Sequence, residues 1–146
     1  MTCTIVGMGT ALPRFSIGQQ ESAHYAALFT GATEDEKRRL PVLYRMSGVD
    51  TRHSVLLDGP EGAEVRQSFF PEPDSAEDEG PTIALRMQRY EIEAPRLATD
   101  ASREALERAE ALPSDITHLV TVSCSGFAAP GVDIALIKNL GLGPTT

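Results

Sequence analysis

The sequence predicts an α/β fold. Three observations carry this. A β-prone run, Ile116 to Ser123, is unbroken by turn residues, as in a strand covered on both faces. Two stretches, Pro81–Ala111 and Ile134–Leu142, follow the helical period. A small-residue turn, Cys124 to Gly126, sits where the strand gives way to a loop. In open α/β folds that is where ligand sites gather.

Taken in order, residues 3–8 read as a short strand, and Gly9 to Pro13 as a loop. Gly7-x-Gly9 does not complete a dinucleotide fingerprint, because Leu12 stands at the third glycine and Pro13 follows. Gln19–Phe29 reads as a helix with Ala23, Ala26, Ala27 and Phe29 inward and Gly31 as its stop. Thr33-Glu34-Asp35-Glu36 is a capping box opening a helix to about Met46. Leu40, Leu43 and Met46 share one face, and Pro41 is expected to kink or restart that helix. Gly48 ends it. Asp50–Leu57 is a strand or edge segment.

From about 58 to 80 the chain is acidic and broken by Pro71, Pro73 and Gly80, which predicts a surface loop anchored by Phe69 and Phe70. Its carboxylates (Glu61, Glu64, Glu72, Asp74, Glu77, Asp78, Glu79) match no metal-ligand spacing. In the long helix, Leu85, Met87, Tyr90 and Ile92 precede Pro95, which marks a kink or break. Leu97, Ala101, Ala105, Ala109 and Leu112 follow it on one face, with Arg103/Glu107 and Glu104/Arg108 as i,i+4 pairs outside. Pro113-Ser114-Asp115 ends the helix and feeds the strand. Pro130 fits the N1 position of the last helix, Val132, Leu136 and Leu140 its buried face, and Gly141 its C-cap.

Bulk properties narrow the function. A chain of 146 residues holds one domain with a core. Its net charge of −8 disfavours general nucleic-acid binding. No apolar run reaches the length of a membrane span, and the N-terminus lacks a secretion signal, so a cytoplasmic location is expected, with no membrane or nucleic-acid partner. Cys3 and Cys124 give neither a disulfide framework nor metal spacing. Lys37, Arg38, Arg39, Arg45 and Arg52 form a basic stretch that reads as solvated surface or as a hold for one small anionic ligand, such as a nucleotide-bearing cofactor.

Cys124 is the obvious nucleophile, but a reactive thiol needs a base or a positive field. His118 lies six residues back on the same strand, roughly 20 Å away at about 3.3 Å per residue. Ser125 lacks the flanking glycines of a nucleophile elbow, since Ser123 and Phe127 occupy those places. Cys124 therefore reads as a structural or pocket-lining residue.

The ordered motifs carry a resemblance. Ile116-Thr117-His118-Leu119-Val120, Ser125-Gly126, Pro130-Gly131-Val132-Asp133, Leu136 and Gly141-Leu142-Gly143-Pro144 are similar to the type III polyketide synthases, the chalcone and stilbene synthase family. Gly9-Thr10-Ala11-x-Pro13, Arg45-Met46, Thr51-Arg52-His53 and Glu93-Ala94-Pro95-Arg96-Leu97 agree in order and approximate spacing, so the resemblance spans nearly the whole chain.

The resemblance implies the N-terminal half of a thiolase-like (αβαβα) fold and a homodimer in the full-length form. It implies an acyltransferase that loads a starter from acyl-CoA onto a cysteine and extends it with malonyl-CoA, both as substrates, with no bound cofactor and no metal. A Cys-His-Asn triad does this chemistry in the family. Mapped here, no catalytic residue falls within the chain: the nucleophile is expected beyond Thr146, no histidine follows Cys124, and Asn139 is the lone asparagine. The expectation is a single truncated domain over 1–146, inactive by itself, whose partner is the missing C-terminal half. Cys124 and Ser125 match the acyl-cavity lining, and Ala129 a position that reaches across the dimer interface. Phe127 adds bulk beside it. Arg45 matches a residue contacting CoA phosphates, while Val42 replaces the family's lysine and Lys37, Arg38 and Arg39 are the alternative cations. A ketoacyl carrier-protein synthase-like fragment, served by acyl carrier protein, stays open as an alternative. So does a non-catalytic domain that binds an acyl ligand or a partner. Gly131-Val132-Asp133 with Leu140-Gly141-Leu142 favours the polyketide branch.

Overall fold

A three-residue ladder begins the ordered secondary structure. In the computed structural model, which describes residues 2–28, 33–64, 66–75 and 77–146, β1 (Ser16–Gly18) leads directly into helix α1 (Gln19–Leu28). Helix α2 (Glu34–Met46) and strand β2 (Thr51–His53) follow. The two strands pair antiparallel, with Ile17 opposite Arg52. β1 has no local signature: Ser-Ile-Gly becomes a strand because β2 lies beside it. β2 covers only part of the stretch expected over 50–57, since the chain turns at Ser54, where the Leu57 N–H donates to the Ser54 carbonyl at 3.4 Å.

Contacts divide the chain into two units, residues 13–82 and residues 1–12 with 83–146. In the first unit, Ile17, Ala23 and Leu57 are buried. The Thr33 capping box forms in full: the Glu36 N–H donates to Thr33 Oγ1 at 3.4 Å, and the Thr33 N–H and hydroxyl both donate to Glu36 Oε2 at 2.9 Å. These bonds favour the charged form, so the Glu36 carboxyl titrates below its ordinary value; the nearby Arg39 adds to the effect. Pro41 neither breaks nor restarts α2, which runs unbroken to Met46. On the face shared by Leu40, Leu43 and Met46, Leu43 and Met46 are exposed and Leu40 is half-buried. Gly48 follows the helix with φ +68°, a left-handed conformation suited to glycine. Phe29 and Gly31 lie outside the described residues.

The acidic loop has internal order. Gln67 and Phe70 exchange two hydrogen bonds, and Phe69 and Phe70 meet edge-to-face at 5.4 Å. Asp78 accepts from the N–H groups of Asp74 and Gly80, which folds the carboxylate into its own turn. Arg66 ties the loop to the rest of the unit. Its guanidinium donates to Glu21, to the Gly59 carbonyl at 2.6 Å and to the Ser16 carbonyl at 3.0 Å.

In the second unit, helix α3 (Ile83–Ala109) is continuous through Pro95, where a kink or break was expected. The turn below is braced by Thr99, a buried residue whose hydroxyl donates to the Pro95 carbonyl at 2.7 Å and accepts from Asn139 at 3.2 Å. Asn139 belongs to helix α4 (Val132–Leu140), which packs on α3 through the buried Leu136. Of the two expected charge pairs on α3, Glu104–Arg108 forms, whereas Arg103 pairs with Asp100. Leu85 and Ile92 are exposed, unlike Met87 and Tyr90. Pro130 does not occupy N1. It precedes the cap, Gly131, after a cis Ala129–Pro130 bond. Gly141 is the left-handed C-cap, as expected.

Neither 3–8 nor 116–123 is a strand. Residues 117–123 and 3–8 make no backbone–backbone hydrogen bond among the described residues. Val120 and Val122 are 83% and 92% exposed. A β-prone, doubly apolar segment needs a ladder partner on each side and a cover on each face. Within the described residues these segments have neither. The 3–9 segment instead lies against α3. A Cβ at Gly7 would meet the Ala105 carbonyl and Ala109, and one at Gly9 would meet the backbone of Ala101 and Ala105. The Gly-x-Gly pattern is thus a packing device against the alanine face of α3.

Candidate functional site

Two concavities hold the residues singled out from the sequence. The first lies in the unit of residues 1–12 and 83–146. It is a groove of about 600 Å³ walled by Tyr90, Leu97 and Ala101 of α3, the Val120–Ser123 segment, Phe127, and Leu136 of α4. Phe127 is held at its rim, where its N–H approaches Met87 Sδ at 3.4 Å. Gly126 lies close against the Tyr90 ring, which would have to shift to admit a Cβ there. The Gly126 N–H donates to Ser123 Oγ at 3.1 Å, which closes the turn.

Of the four residues expected to line an acyl cavity, Phe127 borders this groove. Cys124, Ser125 and Ala129 are exposed on the same loop and do not form its wall. Cys124 Sγ lies 3.7 Å from Ser125 Oγ, with no base or cation bonded to it among the described residues. His118 Nδ1 is occupied 3.0 Å from Thr117 Oγ1. A thiol and a hydroxyl paired only with each other cannot generate a nucleophile.

The second concavity, of about 630 Å³, lies in the unit of residues 13–82. Gln19, Gln20, Pro41, Tyr44, Arg45 and Asp50 are among its lining residues. Arg45 stands in the last turn of α2 and makes no ion pair among the described residues. The rest of the basic stretch is differently placed. Lys37 pairs with Glu34 at 3.2 Å and Arg38 with Asp35 at 3.7 Å. Arg52 donates to Gln19 Oε1 at 2.7 Å and stacks on the Tyr44 ring, 5.3 Å from its centroid. Only Arg45 therefore combines an uncommitted charge with a place on this wall; Arg39 lines a separate shallow surface with Val42 and Leu43. A guanidinium so placed suits a phosphate.

Gln19 and Arg66 were not singled out from the sequence. Neither belongs to a motif, and both matter through partners distant in sequence: Tyr44, Ser47 and Arg52 for Gln19, and Glu21, Gly59 and Ser16 for Arg66.

Residues 2–146 match the family model described as the N-terminal domain of chalcone and stilbene synthases. The chain belongs to the chalcone and stilbene synthase family. Within it, the chain is 34% identical over 142 residues to the alpha-pyrone synthesis polyketide synthase-like Pks18 of Mycobacterium tuberculosis, covering 97% of this chain and 33% of that protein. It is 31% identical over 144 residues to type III polyketide synthase B of Arabidopsis thaliana, covering 98% and 35%. The crystal structure of PKS-I from the brown alga Ectocarpus siliculosus superposes with a TM-score of 0.71 at 29% identity, over 98% of this chain and 37% of that one. The fold is therefore the N-terminal α/β part of the thiolase-like fold of type III polyketide synthases. The chain spans about a third of the length of the curated relatives it matches. No helix among the described residues is long and apolar enough to cross a membrane.

Proposed function

We propose that the chain is the N-terminal portion of an acyltransferase that condenses a starter acyl-CoA with malonyl-CoA in polyketide synthesis. The match of residues 2–146 to the family's N-terminal domain carries this reading. In it, Arg45 contacts the phosphates of coenzyme A, and its uncommitted guanidinium on a concave wall supports that role. Phe127 borders the acyl cavity, and Cys124, Ser125 and Ala129, exposed on the same loop, join that wall in the full-length enzyme, with Ala129 directed toward the second subunit of a cytoplasmic homodimer. The reacting cysteine, histidine and asparagine come from sequence that follows Thr146. Cys124 is not the nucleophile, a reading supported by the lack of any base bonded to its sulfur among the described residues. Residues 1–146 are inactive alone.

The test is direct. The purified 146-residue protein is incubated with malonyl-CoA and acyl-CoA starters, and carbon dioxide and free coenzyme A are followed. No turnover above a buffer blank is the expected result; robust condensation overturns the assignment of the triad to other residues. Coenzyme A titrated into ¹⁵N-labelled protein is expected to shift the Arg45 side-chain resonance, and no shift there overturns its role.

A further inference from the structure

We propose that Gln19 is a positioning residue for Arg45, fixing the last turn of α2 so that the guanidinium is presented to the concavity, and that it thereby sets the affinity for the phosphates of coenzyme A. This rests on the reading of Arg45 given above and deepens it. Gln19 is buried at 8% exposure, and its carboxamide is fully engaged. Nε2 donates to the Tyr44 carbonyl at 2.8 Å and to Ser47 Oγ at 2.7 Å, and Oε1 accepts from Arg52 Nε at 2.7 Å. The Gln19 N–H donates to the Asp50 carbonyl at 2.9 Å.

These partners bracket Arg45. Tyr44 immediately precedes it, and Tyr44's carbonyl, in the last turn of the helix, accepts from the Ser47 N–H at 3.2 Å as well as from Gln19. Ser47 is the C-cap residue and itself donates to the Tyr44 carbonyl at 2.6 Å. Asp50 lies beyond the turn, on the wall that Arg45 shares. One side chain thus clamps the helix end on both sides of the cation. Arg52 is oriented by the same network and by the Tyr44 ring, away from this wall, where Arg45 is the cation. An unclamped helix end frays, and a cation on a frayed turn loses orientation before it meets its ligand.

A double-mutant cycle tests this, with coenzyme A titrated into the 146-residue protein and followed by ¹H–¹⁵N spectra. Gln19→Glu keeps an acceptor for Arg52 but cannot donate to Tyr44 or Ser47. Two donations are lost, and because they reach the ligand only through Arg45, binding is expected to weaken about five-fold, the lower end of what two hydrogen bonds are worth. In an Arg45→Gln background only the direct repulsion between the new carboxylate and the phosphates remains, so the further loss is expected to be clearly smaller than in the parent protein. Equal and additive losses in both backgrounds would show a general structural role and overturn the proposal. So would an unchanged affinity in Gln19→Glu while Arg45→Gln binds weakly. No effect of Arg45→Gln overturns the underlying reading and this inference with it. Should Gln19→Glu fail to fold, Ser47→Ala removes a partner of the same clamp, is expected to weaken binding about two-fold, and decides by the same cycle.

Discussion

Arg66 grips Glu21 with two nitrogens, Nε to Oε1 at 3.1 Å and Nη2 to Oε2 at 3.3 Å. The two residues are 45 positions apart and join the acidic loop to α1. The Arg66 side chain is 10% exposed and the Glu21 side chain 35%. Its bond to Glu21 raises the Arg66 pKa further above an already high ordinary value, so the guanidinium stays charged throughout the useful pH range. Arg66→Ala removes the ion pair and two donations to carbonyls. It is expected to cost about 2–3 kcal/mol, between the values for exposed and fully buried pairs. Arg66→Lys is expected to recover less than half, because an ammonium cannot reproduce the fork. Urea unfolding of the two variants checks both statements.

The contact of Gly9 with α3 gives a second expectation. Gly9→Ala places a methyl against the backbone of Ala101 and Ala105, which cannot retreat like a flexible side chain. A loss of about 2 kcal/mol is expected, within the range for overpacking. Gly18→Ala, where nothing lies within 4 Å of the added carbon, is the internal control and should be near neutral. Thermal melts compare the two.

The capping box gives a pH dependence with a definite sign. The Glu36 carboxyl is depressed in the folded state, chiefly by its bonds from Thr33. Its contribution is therefore fully present above the ordinary glutamate pKa and is lost as pH falls through the lower folded value. Glu36→Gln should flatten this acid dependence of the α2 N-terminus, read from the Thr33 amide shift between neutral and acidic pH. Thr33→Ala should cost about 1 kcal/mol at neutral pH, as for other N-cap deletions.

Exposed apolar side chains at Ile5, Val6, Val120, Val122 and Phe127 predict binding of hydrophobic dyes and association at high concentration. Val122→Lys is expected to lower both and leave the circular dichroism spectrum unchanged, since Val122 is 92% exposed. A well-separated monomer with negligible dye fluorescence would contradict the first statement.

Much of the helical structure was legible because its determinants are local. Thr33 and Glu36 announce α2, Gly141 closes α4, and the alanine period of α3 runs from Ala101 to Ala109. Pro95 left one long helix or two in series open, and the structure has one helix, whose surrounding turns carry it past one missing N–H. The strands were least legible, since a ladder is a property of two segments. Ser16–Gly18 pairs without any β signature, while 116–123 has a strong one and no partner among the described residues. Of the site, Arg45 entered through a family likeness. The clamp of Gln19 around it depends on residues up to 33 positions away and leaves no local trace.

The unladdered backbone of 117–123 has a practical consequence. Its amide hydrogens should exchange with deuterated solvent at close to unprotected rates. Any polypeptide that pairs with it would slow that exchange in an every-second-residue pattern for an edge, or at every residue if both edges were taken. The segment is therefore a built-in gauge of assembly, one that reports which edge a partner has occupied without any attached probe.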